Sequence, residues 1–137
     1  MPRTARTVAE RHRAAGFEGC WVFALGTTDA ANVAVGSNVG YRERIDRMMA
    51  VAGDDPVLWV DTRTVVPSGS WSDANMQGWN QALAEAAAAY DNLHVYEWSR
   101  VAQGPWFAGD GIHYTPAGAA ERARRIADTL AGLWGGP

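Results

Sequence analysis

The sequence has no lysine, one cysteine and no long apolar run. A membrane-spanning helix needs about 20 apolar residues, so no membrane span is expected. No apolar segment follows Met1, so the chain as written carries no secretory signal and would be cytoplasmic, while the localisation of the protein is left open. Cys20 has no second cysteine to pair with, and its place at the start of an apolar run predicts buried packing.

The charge balance is mildly acidic, with 12 arginines against 15 aspartates and glutamates and a net charge of -3. The arginines are scattered along the chain, which argues against a dedicated nucleic-acid binder. The 137 residues are 47% hydrophobic, so they are expected to form a single domain over 1–137 with a core of its own.

Short apolar runs alternate with amphipathic segments along the chain. Strands are predicted at Cys20–Leu25, Pro56–Val60 and Leu93–Trp98 because each run is continuous and bounded by turn residues. Helices are predicted over 5–15 and 41–52, from Pro116 onward, and after Asp73, which could cap a long helix. This alternation predicts a parallel sheet in an α/β layer architecture. Ligands of such sheets bind at the carboxyl ends of the strands, here just after Leu25, Val60 and Trp98.

The strongest catalytic candidate is Asp110-Gly111-Ile112-His113, in the loop between the third strand and the last helix. A carboxylate three residues before a histidine can accept its Nδ1 proton and leave Nε2 free to act as a base. The alternative is that His113 only caps the helix that Pro116 begins. The position beyond the last strand favours the catalytic interpretation.

A second candidate is Gly26-Thr27-Thr28-Asp29, directly after the first strand. These small and hydroxylic residues could donate hydrogen bonds to a developing oxyanion, although a plain turn explains them almost as well. Trp71 and Trp106 fall in loops near the presumed cleft and are possible substrate contacts. No metal is predicted, since His12, His94 and His113 are dispersed. The first strand is not followed by the glycine pattern of a dinucleotide site, and no cofactor is predicted.

Taken together, these motifs resemble the C-terminal half of an SGNH (GDSL-type) hydrolase domain. The resemblance runs through the segments ALGTTDAANVAVGSN, PVLWVDT, NMQGWNQAL and GDGIHYTPAGAAERARRIADTL. It implies a three-layer α/β/α flavodoxin-like fold and an ester hydrolase or acyltransferase, with His113 as base and Asp110 as its partner. Thr28 stands where the family has an oxyanion asparagine, and Asp29 stands where it has a structural aspartate. The arginine-only, alanine-rich composition suggests a bacterial source.

One departure concerns the nucleophile, because the family's Gly-Asp-Ser block is absent and residues 1–25 hold no serine. The sequence therefore predicts a partial domain, with about three strands and four helices, that is weakly active alone. Its substrate would be a small-molecule ester, and export of full-length relatives is left open. The alternative is a non-catalytic remnant or interaction module of the same fold. Without the nucleophile strand, the run Cys20–Leu25 would be an open edge, which predicts a homodimer, or aggregation, through it.

Overall fold

The structure is a computed structural model and describes residues 4–135. Its elements are, in order, α1 (Ala5–Ala14), β1 (Trp21–Phe23), α2 (Thr27–Ala34), α3 (Tyr41–Ala52), β2 (Val57–Val60), α4 (Asp73–Ala89), β3 (Leu93–Tyr96), α5 (Trp98–Val101) and α6 (Pro116–Trp134). A 3₁₀ turn at Gly104–Trp106 precedes the loop that leads to α6. No helix within 4–135 is both long and apolar enough to cross a membrane.

The three strands form one parallel sheet in the order β1-β2-β3. Trp21 pairs with Val57, and Val57 pairs with Leu93, so the strands start level with one another. Parallel strands end at the same edge of their sheet, and the segments after Phe23, Val60 and Tyr96 therefore meet there. The predicted α/β class is confirmed.

One face of the sheet carries the main hydrophobic core. Alternate strand residues point to this face, among them Phe23, Trp59 and Leu93. They pack against residues of α1, α2, α3 and α4, including Ala9, Ala30, Ile45, Met49, Met76, Trp79 and Leu83. The edge-to-face contact of Phe23 with Trp59, at a centroid distance of 5.1 Å, ties β1 to β2 within this core.

The opposite face lies under α6. Leu58 and Val60 on this face are fully buried, and the ring of His94 contacts that of Trp134 near the end of α6. Helices therefore cover both faces, as the three-layer arrangement requires. Val22 is on this same face at β1, but its exposure of 41% shows that the cover is thinner there.

Hydroxyl side chains cap the N-termini of α1, α4 and α6. Thr4 accepts a hydrogen bond from the N–H of Thr7 at α1, and Thr115 accepts from that of Gly118 at α6. The cap of α4 is Ser72, which accepts from the N–H of Asn75, whereas the sequence pattern had favoured Asp73. Asp73 is the first helical residue and lies where a negative charge stabilises the helix dipole.

The structure differs from the predicted elements in several places. The third strand, predicted through Trp98, ends at Tyr96, and Trp98 is the first residue of α5. Two short helices, α2 and α5, were not predicted, because neither is long enough to show an amphipathic period. The first strand covers Trp21–Phe23 only. Cys20 was predicted to be buried and is exposed, since it precedes the strand on the edge of the sheet.

Candidate functional site

The loop between the 3₁₀ turn and α6 is held by backbone hydrogen bonds. Phe107 and Tyr114 form an isolated antiparallel bridge, and the N–H of Ala108 donates to the carbonyl of His113 at 2.7 Å. At its tip the carbonyl of Gly111 accepts from the N–H of Val65, at 2.9 Å. The loop that follows β2 therefore supports the loop that carries the candidate base.

Gly111 has a backbone conformation that few other residues adopt, with φ of 74°. A Cβ there would also lie 3.1 Å from Cγ2 of Val66 and 3.3 Å from that of Val65. Both the turn and the close approach of the two loops thus require glycine. This tight turn places Asp110 and His113 on the same side of the loop.

Asp110 and His113 form the hydrogen bond that their spacing predicts. Oδ2 of Asp110 lies 2.5 Å from Nδ1 of His113. Oδ1 accepts from the backbone N–H groups of Ile112 at 2.8 Å and His113 at 2.9 Å. The hydrogen bond with His113 and these two amides lower the pKa of Asp110 to about 2.

The low pKa of Asp110 determines which nitrogen of His113 carries the proton. An ionised carboxylate only accepts hydrogen bonds, so Nδ1 must be the donor and Nε2 of a neutral imidazole holds a free lone pair. The His113 side chain is 80% exposed, so that lone pair is open to solvent. The arrangement can remove a proton from a hydroxyl that approaches from outside the loop.

The segment 26–29 forms the start of α2, not an irregular loop. Gly26 is its N-cap, with φ of 144°, and a Cβ there would overlap the indole ring of Trp79. Thr28 is exposed in the first turn. The amides of the first turn have no acceptor within the helix, and Gly26 offers no side chain to cap them, so they can donate to a ligand.

Asp29 ties α2 to α3. Its Oδ1 accepts from Nη1 of Arg44 at 3.0 Å. The same guanidinium donates to Oγ of Ser37 at 2.8 Å and to the carbonyl of Val39 at 2.9 Å. Asp29 therefore fixes the turn between the two helices, and its carboxylate faces a structural cation.

The two loop tryptophans have different surroundings. Trp106 stacks on Trp98 with centroids 5.6 Å apart, while the guanidinium of Arg125 lies 5.7 Å from its ring. Its carbonyl accepts from the N–H of Thr115, so Trp106 anchors the loop to α6. Trp71 is half-buried, and its carbonyl accepts from the hydroxyl of Thr64 at 2.8 Å.

None of the five serines of the chain has a hydrogen bond to His113 within residues 4–135. The hydroxyls of Ser37, Ser72 and Ser99 are bonded to Arg44, the Asn75 amide and Asp61 respectively. Ser68 and Ser70 lie in the loop after β2 that contacts Gly111 through Val65. The part of the chain that the structure describes thus holds a base with no nucleophile in contact with it.

Sequence reasoning missed Asp61, which lies directly after β2. Its side chain is buried, and its two oxygens accept from the N–H of Ser99 at 2.7 Å and the hydroxyl of Ser99 at 2.8 Å. Burial raises the pKa of this carboxyl even though both hydrogen bonds from Ser99 oppose the rise. The available signal was an aspartate at the carboxyl end of a fully buried strand.

Over residues 4–135, the structure contains no group of three or more histidine, cysteine, aspartate or glutamate side chains suited to a metal ion.

No protein-family model matches the sequence, and no curated protein matches it either. Among solved structures, the chain is similar to the lipase/acylhydrolase from Enterococcus faecalis, with a TM-score of 0.67 and 16% sequence identity. The similarity covers 95% of this chain and 71% of that one. This chain and that acylhydrolase share a fold. At this level of identity the likeness concerns the fold alone.

Proposed function

We propose that the chain is an SGNH-type domain for hydrolysis or acyl transfer of small carboxylic esters. The observation that carries the proposal is the 2.5 Å contact between Asp110 and His113, with Nε2 exposed at the carboxyl edge of a parallel sheet. A base oriented by a carboxylate is the arrangement that activates a serine hydroxyl. The fold shared with an acylhydrolase supports the same chemistry.

In the proposed reaction, Nε2 of His113 takes the proton of a serine hydroxyl while its oxygen bonds to the ester carbonyl carbon. The carbonyl π electrons move to the oxygen, where the first-turn amides of α2 and the hydroxyl of Thr28 would donate to it. The C–O bond to the alcohol then breaks as His113 returns the proton to the leaving oxygen. Water, or an acceptor alcohol, repeats the sequence on the acyl-serine.

We further propose that residues 1–137 form a partial domain and that the nucleophile lies outside them. The lack of a serine in residues 1–25 supports this, as does the absence of a serine hydroxyl bonded to His113 among the described residues. The purified chain should then hydrolyse p-nitrophenyl acetate slowly and resist labelling by a fluorophosphonate.

The slow hydrolysis itself tests the base. His113→Ala should lower the rate by about 10-fold or more, because general-base catalysis contributes at least that factor. The matched control is His12→Ala, on the exposed side of α1, which should leave the rate unchanged. Equal rates for both variants and the parent chain would defeat the proposal. Fast hydrolysis with fluorophosphonate labelling would instead make Ser68 or Ser70 the suspected nucleophile.

The second candidate is a non-catalytic module of the same fold. The observation that favours it is that Ser37, Ser72 and Ser99 are all engaged elsewhere. Such a module should hydrolyse the ester no faster than free imidazole at the same concentration. That comparison separates the two candidates without knowledge of the natural substrate.

We also propose that the chain forms a homodimer through the segment Cys20–Leu25. Within the described residues only β2 pairs with β1, so one side of β1 leaves backbone groups unpaired. The exposed Val22 adds apolar surface beside that edge.

Light scattering at about 10–50 µM, a concentration at which exposed apolar surface drives association, tests the homodimer. Val22→Lys should shift the dimer towards monomer, since a lysine on an edge strand blocks pairing. Val35→Lys, at a valine that is 74% exposed in the turn after α2, is the control. A parent chain that is monomeric in this range would contradict the proposal.

A further inference from the structure

A cavity of about 620 Å³ opens beside the start of α2. Its walls come from four elements: α1, the end of β1 with the start of α2, α3, and the rings of Trp59 and Trp79. The apolar part of the lining includes Leu25 and Met48. Asp110 and His113 are not among the described residues that line the cavity.

The charged residues of this lining are mainly cationic. Arg6, Arg44 and Arg47 contribute three guanidinium groups, against the single carboxylate of Asp29. Each guanidinium is paired with a carboxylate, that of Asp29, Glu10 or Glu43, and only the carboxylate of Asp29 lines the cavity. Guanidinium groups concentrated in one cavity attract anionic ligands.

The three arginines differ in how strongly other groups of the chain hold their guanidinium groups. Arg44 is engaged with Asp29, Ser37 and Val39 and supports the wall. Arg6 and Arg47 contact Glu10 at 3.2 Å and Glu43 at 3.3 Å, both as exposed pairs on their own helices. Exposed pairs of this kind contribute little, so both guanidinium groups can turn to a ligand at low cost.

Two further observations point to an acceptor in this cavity. The first-turn amides of α2 lack a side-chain cap and lie at the positive end of the helix dipole. The indole N–H of Trp79 is buried beside Gly26 and has no hydrogen-bond partner among the described residues. An unpaired buried donor is costly, and it favours an acceptor at this wall.

We infer that this cavity binds the anionic group of a small molecule, a carboxylate or a phosphate. Arg6 of α1 and Arg47 of α3 hold the anion, while the first-turn amides of α2 at the same cavity donate to the oxyanion of the scissile carbonyl. The apolar part of the ligand packs on Leu25 and Met48. The identity of the substrate class rests on the proposed function as well. If both hold, the substrate is an ester that carries a negative charge away from the scissile bond.

Binding is tested directly with inorganic phosphate and with succinate, followed by the fluorescence of the tryptophans. Saturable binding is expected, and Arg6→Gln with Arg47→Gln should weaken it by about 10-fold or more, since each lost charge-assisted contact is substantial. Arg42→Gln is the control, because Arg42 pairs with Asp46 on α3 and does not line the cavity. The affinity of the Arg42→Gln variant for phosphate and succinate should stay within about twofold of that of the parent chain.

Three comparisons decide the inference. Affinity should fall as salt is raised, and uncharged ethyl acetate should not compete with phosphate. Vesicles of phosphatidylglycerol that bind with the same arginine dependence, and more tightly than phosphate, would identify a lipid headgroup as the source of the anion. Absence of saturable anion binding, or equal loss in the Arg42→Gln control, would overturn the inference.

The outcome is separable from that of the proposed function. Anion binding that survives in a His113→Ala variant supports the cavity even if no ester is hydrolysed. Ester hydrolysis that depends on His113 but shows the same kcat/KM for neutral and carboxylate-bearing p-nitrophenyl esters supports the function and overturns the inference about substrate charge.

Discussion

Asp61, directly after β2, and Asp110, in the loop before α6, have environments that shift their pKa values in opposite directions. Asp110 is exposed, and its hydrogen bonds to His113 and two amides lower its pKa to about 2. Asp61 is buried, and the loss of hydration raises its pKa despite two hydrogen bonds from Ser99. Hydrogen bonds alone therefore do not determine the charge state of a carboxyl group, because burial opposes them.

The two aspartates also differ in what they can do. The charge of Asp110 persists to low pH and is available to orient a histidine that solvent reaches. Asp61 holds the start of α5 against the end of β2 through the N–H and hydroxyl of one residue, Ser99. One carboxylate suits chemistry and the other suits structure, although both lie where an α/β sheet binds ligands.

The largest expected effect is on the titration of Asp110. His113→Ala removes the hydrogen bond that lowers its pKa most, so the pKa should rise from about 2 towards the ordinary value of 3.8. A ¹³C NMR titration of the carboxyl carbon measures this shift. In the parent chain the stabilisation from ionised Asp110 is fully present above pH ~3.9 and is lost as the pH falls through about 2. An unchanged titration in the variant would show that the amides, and not His113, set the charge.

The second effect is on the free energy of unfolding, which should fall more when Asp61 is replaced by alanine than when Asp110 is. Asp61→Ala leaves the part-buried amide and hydroxyl of Ser99 without an acceptor, which costs about 1–3 kcal/mol of unfolding free energy. Asp110→Ala is the matched control, and its loss should be smaller because its former partners remain solvated. Urea denaturation measures both. Equal losses would mean that Asp61 is no more buried in solution than Asp110.

The smallest effect is the part of the protein's pH-dependent stability that comes from the titration of Asp61. The folded-state pKa of Asp61 is raised, so its ionised form disfavours folding at neutral pH, and that penalty is relieved as the pH falls through the folded-state pKa. Asp61→Asn removes the titration while keeping an acceptor for Ser99. The stability of the variant relative to the parent should therefore be greater at pH 7 than at pH 4.5. If the difference in stability between variant and parent does not change with pH, Asp61 has the same pKa in the folded and unfolded states, which contradicts the prediction.

The residues of the candidate base were predictable because they depend on local geometry. Asp110 and His113 are three positions apart, and Gly111 permits the turn that lets their side chains meet. The engagement of Asp61 by Ser99 was not predictable, because 38 positions separate them and only the pairing of β2 with β3 brings them together. The short helix α2 also escaped prediction, since eight residues give too weak a period.

The sequence by itself determined the α/β class, the approximate places of the strands and longer helices, and the Asp110–His113 pair. Each of these follows from periodicity, turn residues or contacts within one turn of chain. Only the tertiary structure decided that Cys20 is exposed, that Asp61 is buried, and that Arg6 and Arg47 from two different helices face one cavity. Burial and long-range contacts depend on how the elements pack, and the pattern along a single strand or helix does not contain that information.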